Sequence, residues 1–197
     1  MTLHRSVNTG SATRRDRLRN RLCCASTGTV VAASDERRQN YILRNRVSSR
    51  RVICIPNGTD IERFRACPAT RATVRKQLAL LPTDIVIGAC GHFGHEKGLD
   101  VVLRAFRKLL DSTPDRSLIL LLLGDGNSER RVILEQLANA CEGRVVFLGY
   151  QPDAHRWFQA FDLFLHAPRQ EAFGLVVTES MATGVPVVAT RAGGVPE

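Results

Sequence analysis

Along this chain, short unbroken apolar runs alternate with segments whose apolar residues recur every three or four positions. The longest run, Leu118–Leu123, ends at Gly124. A helix needs roughly 20 apolar residues to cross a bilayer, so this run reads as a buried strand. Runs of the same kind occupy Val30–Ala33, Val52–Ile55, Ile85–Cys90, Val145–Leu148, Leu163–Leu165 and Val187–Ala189. Between them, Leu99, Val102, Leu103, Phe106, Leu109 and Leu110 keep the spacing of one helix face. Ser34, followed by Asp35 and Glu36, caps a helix predicted to reach Arg46, because acids in the first turn suit the helix dipole. Further helices are predicted over residues 70–80, 128–140, 155–160 and 174–182, and Pro56-Asn57-Gly58 marks a turn.

Continuous Val/Ile/Leu strands separated by helices predict an α/β protein with a parallel sheet covered on both faces. Ligands of such sheets bind beyond the carboxyl ends of the strands. The segments found there are 91–98, 124–127, 149–152, 167–174 and 190–194, all rich in glycine and polar groups. They are expected to share one edge and to receive a polar, phosphorylated ligand.

Charge sharpens this picture at one end only. The net charge is +9 over 197 residues, and residues 1–51 hold all of the excess: twelve Arg against Asp16, Asp35 and Glu36. That asymmetry fits an anionic partner such as a membrane surface or charged substrate, and equally a solvated basic helix face. Tyr41 is the sole aromatic in those residues, so the interleaved aromatics of a nucleic-acid surface are missing and nucleic acid is not expected as a partner. The six Cys (23, 24, 54, 67, 90, 141) form no C-x-x-C pair and have no His at zinc spacing, a pattern that implies neither metal nor disulfide. The first 22 residues, rich in Arg, Ser and Thr, also have the composition of a mitochondrial presequence, whereas no apolar stretch of a secretory signal follows them.

Three places carry candidate chemistry. Lys97, between Glu96 and Gly98 at a strand-to-helix turn, suits a phosphate, through its charge and nearby backbone N–H groups. The chain uses 25 Arg and three Lys, so a Lys here offers a compact point charge where Arg is the habitual cation. Gly124-Asp125-Gly126 is a turn signal, and Asp125 lacks the second carboxylate a metal site needs. Glu171 and Glu179 bracket an apolar run in which Gly174 opens a helix. Helix N–H groups accept an anion, and carboxylates accept paired sugar hydroxyls. The combination points to a ligand with a charged middle and hydroxylated ends, such as a nucleotide sugar.

Five segments then match one family in order: Ile55–Asp60 with Phe64; Gly91–Gly98; Leu123–Gly126; Val146–Gly149; and Glu171–Ala189, closed by Gly193-Gly194 and Pro196-Glu197. Over residues 52–197 the sequence resembles the retaining glycosyltransferases of family 4 (group 1), and Glu171 with Glu179 matches their E-x7-E signature. The resemblance implies an α/β fold of the GT-B type, with a nearly complete C-terminal Rossmann-like donor domain over residues 71–197. Residues 52–70 would be the inter-domain linker and first strand, and residues 1–51 a remnant of the acceptor-binding domain. In that remnant, Thr2-Leu3-His4 would end a strand with His4 in the catalytic cleft, and Arg14–Leu22 would be the following helix.

The implied activity is transfer of a hexosyl group from a UDP-, GDP- or ADP-sugar to an acceptor hydroxyl with retention of configuration. The nucleotide sugar is a co-substrate, and neither cofactor nor metal is expected. The implied catalytic residues are Glu171, Lys97 and His4. Lys97 would contact the diphosphate, together with His92 and Glu96, and N–H groups around Phe173, Gly174 and Leu175 would cradle it. Glu171 would hold sugar hydroxyls and Glu179 the ribose, while Gly149 and Tyr150 would approach the base. His92 departs from the family's Arg, and Arg169 is the nearby candidate to replace that charge. The acceptor would be lipid-linked or a saccharide, and the basic first quarter would place the protein in the cytoplasm, peripheral to the inner face of an anionic membrane. Against the family pattern the chain reads as a piece shortened at both ends. The alternative to an active transferase is therefore an inactive nucleotide-sugar-binding fragment. The E-x7-E spacing disfavours the epimerases that share the fold.

Overall fold

The computed structural model describes Thr2–Leu3 and residues 13–197. Contacts divide them into two compact units, one of residues up to Gly58 with 170–174 and 191–197, the other of 59–169 with 175–190.

The first unit holds a three-stranded parallel sheet in the order β1 (Thr2–Leu3), β2 (Val30–Ala32), β3 (Val52–Cys54). Helix α1 (Arg14–Thr27) starts with a capping box in which Thr13 and Asp16 satisfy each other's exposed N–H groups. It continues past Leu22, and Cys24 packs with Val30, Tyr41 and Val52 in a small core. Helix α2 (Asp35–Asn45) is capped by Ser34, whose hydroxyl accepts from Arg37 N at 3.3 Å. The Glu197 carboxylate accepts from Asp35 N and Glu36 N at 2.7 and 2.8 Å, so a third carboxylate joins Asp35 and Glu36 at the positive end of that helix.

The second unit is built on five parallel strands, β4 (Ile85–Cys90), β5 (Leu118–Leu123), β6 (Val145–Gly149), β7 (Leu163–His166) and β8 (Val187–Ala189), in the order β6-β5-β4-β7-β8. Both faces are covered, as the unbroken apolar runs require. On one face Ile87, Ala89, Leu120 and Leu122 pack beneath α4 (Leu99–Ser112) and α5 (Ser128–Asn139). On the other, Val86, Leu121, Leu123 and Phe164 meet Val74 of α3 (Pro68–Gln77) and Phe158 of α6 (Ala154–Phe158). Helix α7 (Leu175–Ala182) leads into β8. Gly88 lies on this second face, where a Cβ would fall 2.3 Å from the ring of Phe161. Glycine lets that ring lie directly on the central strand.

The edge where the strands begin is closed by charge. Arg75, 9% exposed, donates to the carbonyls of Ala160, Leu81 and Asp84 at 3.1, 3.0 and 2.7 Å and to the Asp162 carboxylate at 3.2 Å. Asp162 also accepts from Val86 N at 2.7 Å, and Arg71 pairs with its other oxygen. A buried guanidinium is tolerated here because every carbonyl it meets needs a donor. Removing one partner of such a network strands the rest, so Arg75→Ala should destabilise the chain by about 3 kcal/mol, as read by urea denaturation, while Gln in its place recovers part of the loss.

Candidate functional site

The opposite edge is built of loops rather than ion pairs. Because the five strands are parallel, residues 91, 124, 150, 167 and 190 all follow strand ends on one side of the second unit. Backbone bonds zip three of these loops together: Gly91 N to Leu123 O at 3.0 Å, Gly124 N to Gly149 O at 2.8 Å, and Phe93 N to Asp125 O at 2.9 Å. Two glycines permit this closeness. A Cβ on Gly124, whose φ is +126°, would lie 2.0 Å from Gly91 O, and one on Gly126 would lie 2.5 Å from Phe93 Cβ.

Between these loops lies a cavity of about 730 Å³, lined by Cys90, His92, Asp125, Gly126, Tyr150 and Gln151 among others. Its volume suits a nucleotide-sized ligand. Tyr150 is 75% exposed and therefore presents its ring to whatever enters. At the floor, burial pushes the Cys90 thiol up to about 12, with the Glu179 carboxylate adding to the rise and the Lys97 ammonium opposing it. Cys90 is thus a protonated, unreactive thiol that lies within the fields of both an anion and a cation. The Lys97 stem passes Gly91, its Cγ 3.5 Å from where a Cβ would stand.

Glu179 sits in the second turn of α7, and burial raises its carboxyl above the ordinary range, an effect partly countered by Arg63. A half-buried carboxylate with little local compensation is what a hydroxylated ligand would find as an acceptor. Thr178, one residue earlier, pairs its hydroxyl with that of Thr59 and so fixes the helix face.

Of the residues expected from the sequence, His92, Glu96, Lys97, Gly149, Tyr150, Leu175 and Glu179 belong to the second unit. Glu171, Phe173 and Gly174 belong to the first. There Glu171 is buried at 9% exposure, and its backbone carbonyl accepts from Arg37 Nη2 at 3.3 Å and Gly194 N at 3.4 Å. Gly193, with φ of +55°, approaches the same carbonyl so closely that a Cβ would fall 1.8 Å from it. His4 lies outside the described residues. Arg169 does not stand in for the cation missing at His92. Its guanidinium is spent on Asp100, at 2.8 and 2.7 Å, and on His95 O at 2.9 Å. The sequence places 124–127 on the ligand edge as a turn, and Cys90 reads from it as a core residue; neither was among the expected site residues. The glycines directly after three of the apolar runs, Gly91, Gly124 and Gly149, were the available signal. Among the described residues no group of three or more His, Cys, Asp or Glu is placed to hold a metal. Nor is any described helix long and apolar enough to cross a membrane.

Residues 84–197 match the family model described as Glycosyl transferases group 1, and the chain belongs to that family. The lipopolysaccharide core biosynthesis mannosyltransferase LpsB of Rhizobium meliloti is 35% identical over 150 residues, 73% of this chain and 41% of that protein. A D-inositol 3-phosphate glycosyltransferase of Nocardia farcinica is 32% identical over 177 residues, 86% of this chain and 39% of that one. The chain thus spans less than half the length of these relatives. Among solved structures, Anabaena HepE in complex with UDP-glucose superposes with a TM-score of 0.81 at 25% identity, over 98% of this chain and 53% of that one. The α/β architecture is that of GT-B glycosyltransferases.

The raised Glu179 carboxyl has a consequence for stability. The folded chain holds this proton to higher pH than the unfolded chain, so stability present at acid pH is lost as pH rises through the folded value. Glu179→Gln carries no such loss. Its melting temperature should exceed that of the unsubstituted chain at pH 7, and the difference should vanish below the ordinary glutamate value of 4.5.

Proposed function

We propose that this chain carries the donor-binding machinery of a retaining, family 4 glycosyltransferase that moves a hexosyl group from a nucleoside-diphosphate sugar to an acceptor hydroxyl. The observation that carries the reading is the cavity at the strand-end edge, with Lys97 and Glu179 both acting on the thiol at its floor. A cation for phosphate and an acceptor for hydroxyls are the two chemistries a nucleotide sugar requires. Support comes from LpsB, a mannosyltransferase, from a GDP-mannose-dependent mannosyltransferase of Corynebacterium glutamicum at 34% identity, and from HepE, solved with UDP-glucose.

In this reading Lys97 stabilises the charge that develops on the departing diphosphate, the role preorganised cations play where water is excluded. His92 and Glu96 flank it, and Gly149 and Tyr150 face the base. Glu179 accepts from the ribose hydroxyls. The remaining roles are carried over from the family's motif: Glu171 holds the hydroxyls of the transferred sugar, the N–H groups around Phe173, Gly174 and Leu175 face the phosphates, and His4 faces the reaction. UDP, GDP or ADP is the donor nucleotide, and the acceptor is a saccharide or lipid-linked. The basic first unit, with Arg14, Arg15, Arg17, Arg19 and Arg21 exposed on α1, fits work at an anionic membrane from the cytoplasmic side.

A thermal-shift panel of UDP-, GDP- and ADP-sugars, followed by calorimetry and a transfer assay, tests the proposal. Glu179→Gln should weaken binding of the intact donor roughly tenfold or more, as for a lost hydrogen bond to a charged group. Glu171→Gln should lower turnover more than binding. Binding without turnover would assign donor recognition alone to this chain. If no nucleotide sugar binds, or neither substitution changes binding or transfer, the reading fails.

A further inference from the structure

We infer that the Asp100–Arg169 pair positions Lys97, acting as a strut beneath the turn that presents it. The inference rests on the reading of Lys97 as the diphosphate ligand. Residues His95–Lys97 form a single 3-10 turn, closed by Lys97 N to Gly94 O at 3.1 Å and Gly98 N to His95 O at 3.3 Å. A turn this short has little stability of its own. What fixes it comes from the segment after β7. Arg169 N donates to Glu96 O at 2.8 Å, and Arg169 Nη1 donates to His95 O at 2.9 Å. Gly98, with φ of +64°, lies so close that a Cβ would fall 1.8 Å from Ala167 O. The segment is itself tied down, since Thr190 Oγ1 donates to Pro168 O at 2.8 Å.

The guanidinium then reaches Asp100 in the first turn of α4 with two parallel bonds, Nη1 to Oδ1 at 2.8 Å and Nη2 to Oδ2 at 2.7 Å. The Asp100 side chain is 8% exposed, and Arg169 holds its carboxyl below the usual carboxylate range against the pull of burial. Arg104, at 3.3 Å, and Arg130, at 3.7 Å, complete the surroundings of the carboxylate. His95, two residues before Lys97, and Asp100, three after it, are therefore pinned to one rigid planar group. A lysine at 169 keeps the charge but cannot span two carboxylate oxygens and a carbonyl in one plane.

A pair that merely stabilised the fold would affect every ligand and every background alike, and a double-mutant cycle separates the two roles. Calorimetric titration with UDP, GDP and ADP is carried out on the unsubstituted chain, Arg169→Lys, Lys97→Ala and the double variant, with melting temperatures in parallel. Arg169→Lys is expected to weaken the tightest-binding diphosphate roughly tenfold when Lys97 is present and less than about twofold when it is absent. The melting temperature should fall in both backgrounds. An equal loss of affinity with and without Lys97, or no loss, overturns the inference and leaves the donor reading standing. If the unsubstituted chain binds none of the three, or Lys97→Ala leaves binding unchanged, the donor reading falls and the strut with it. Should Arg169→Lys fail to fold, Asp100→Asn, which keeps the shape and removes the charge, is read by the same criteria.

Discussion

Everything in the second unit follows from the parallel pairing of β4 on both sides, with β5 over its whole length and with β7 at Ile87 and Gly88. A strand held this way has no solvent face, so both rows of its side chains must be apolar or absent. It has no hairpin neighbours either, so every connection crosses a face and every strand ends on the same side. The polar work of the unit is thereby pushed to the two edges of the sheet, and the edges are treated in opposite ways.

At the edge where strands begin, side chains answer the backbone. Arg75 and Asp162 satisfy carbonyls and an amide of the adjoining turns, and the network is closed within itself. At the edge where strands end, side chains are removed. Gly91, Gly124 and Gly126 bring three loops into close contact, and all three line the cavity. The first edge holds the sheet together through paired side chains. The second leaves room beside Cys90, whose thiol is raised by burial, further raised by the Glu179 carboxylate and lowered by the Lys97 ammonium.

Much of this was legible in the sequence because apolar runs have one physical meaning when they are short. Ile85–Cys90, Leu118–Leu123 and Val187–Ala189 are strands with the predicted bounds, and the 3.6-residue spacing from Leu99 located α4. A helix end was legible to within a residue or two where a cap announced it, as at Ser34. The arginines were not legible. Among 25 of them, nothing in local sequence marks Arg75 as buried or ties Arg169 to Asp100. Their carboxylate partners, Asp162 and Asp100, lie far along the chain, and an ion pair carries no periodicity. The division of Glu171 and Glu179 between two compact units was equally hidden, since the eight-position spacing reads as one local motif.

The use of cations in the chain makes physical sense of its composition. Two guanidinium groups bridge several acceptors at fixed angles, the buried Arg75 with three carbonyls and the more exposed Arg169 with a carboxylate and a carbonyl. That geometry suits a rigid support, because the planar fork loses little freedom on binding. An ammonium on a flexible stem suits the opposite role, that of meeting a phosphate whose oxygens shift as a bond breaks. Lys97 occupies a strand-end turn whose residues on both sides are held by such a support. A mobile charge is useful only if its base does not move, and the arginine beneath the turn supplies that condition.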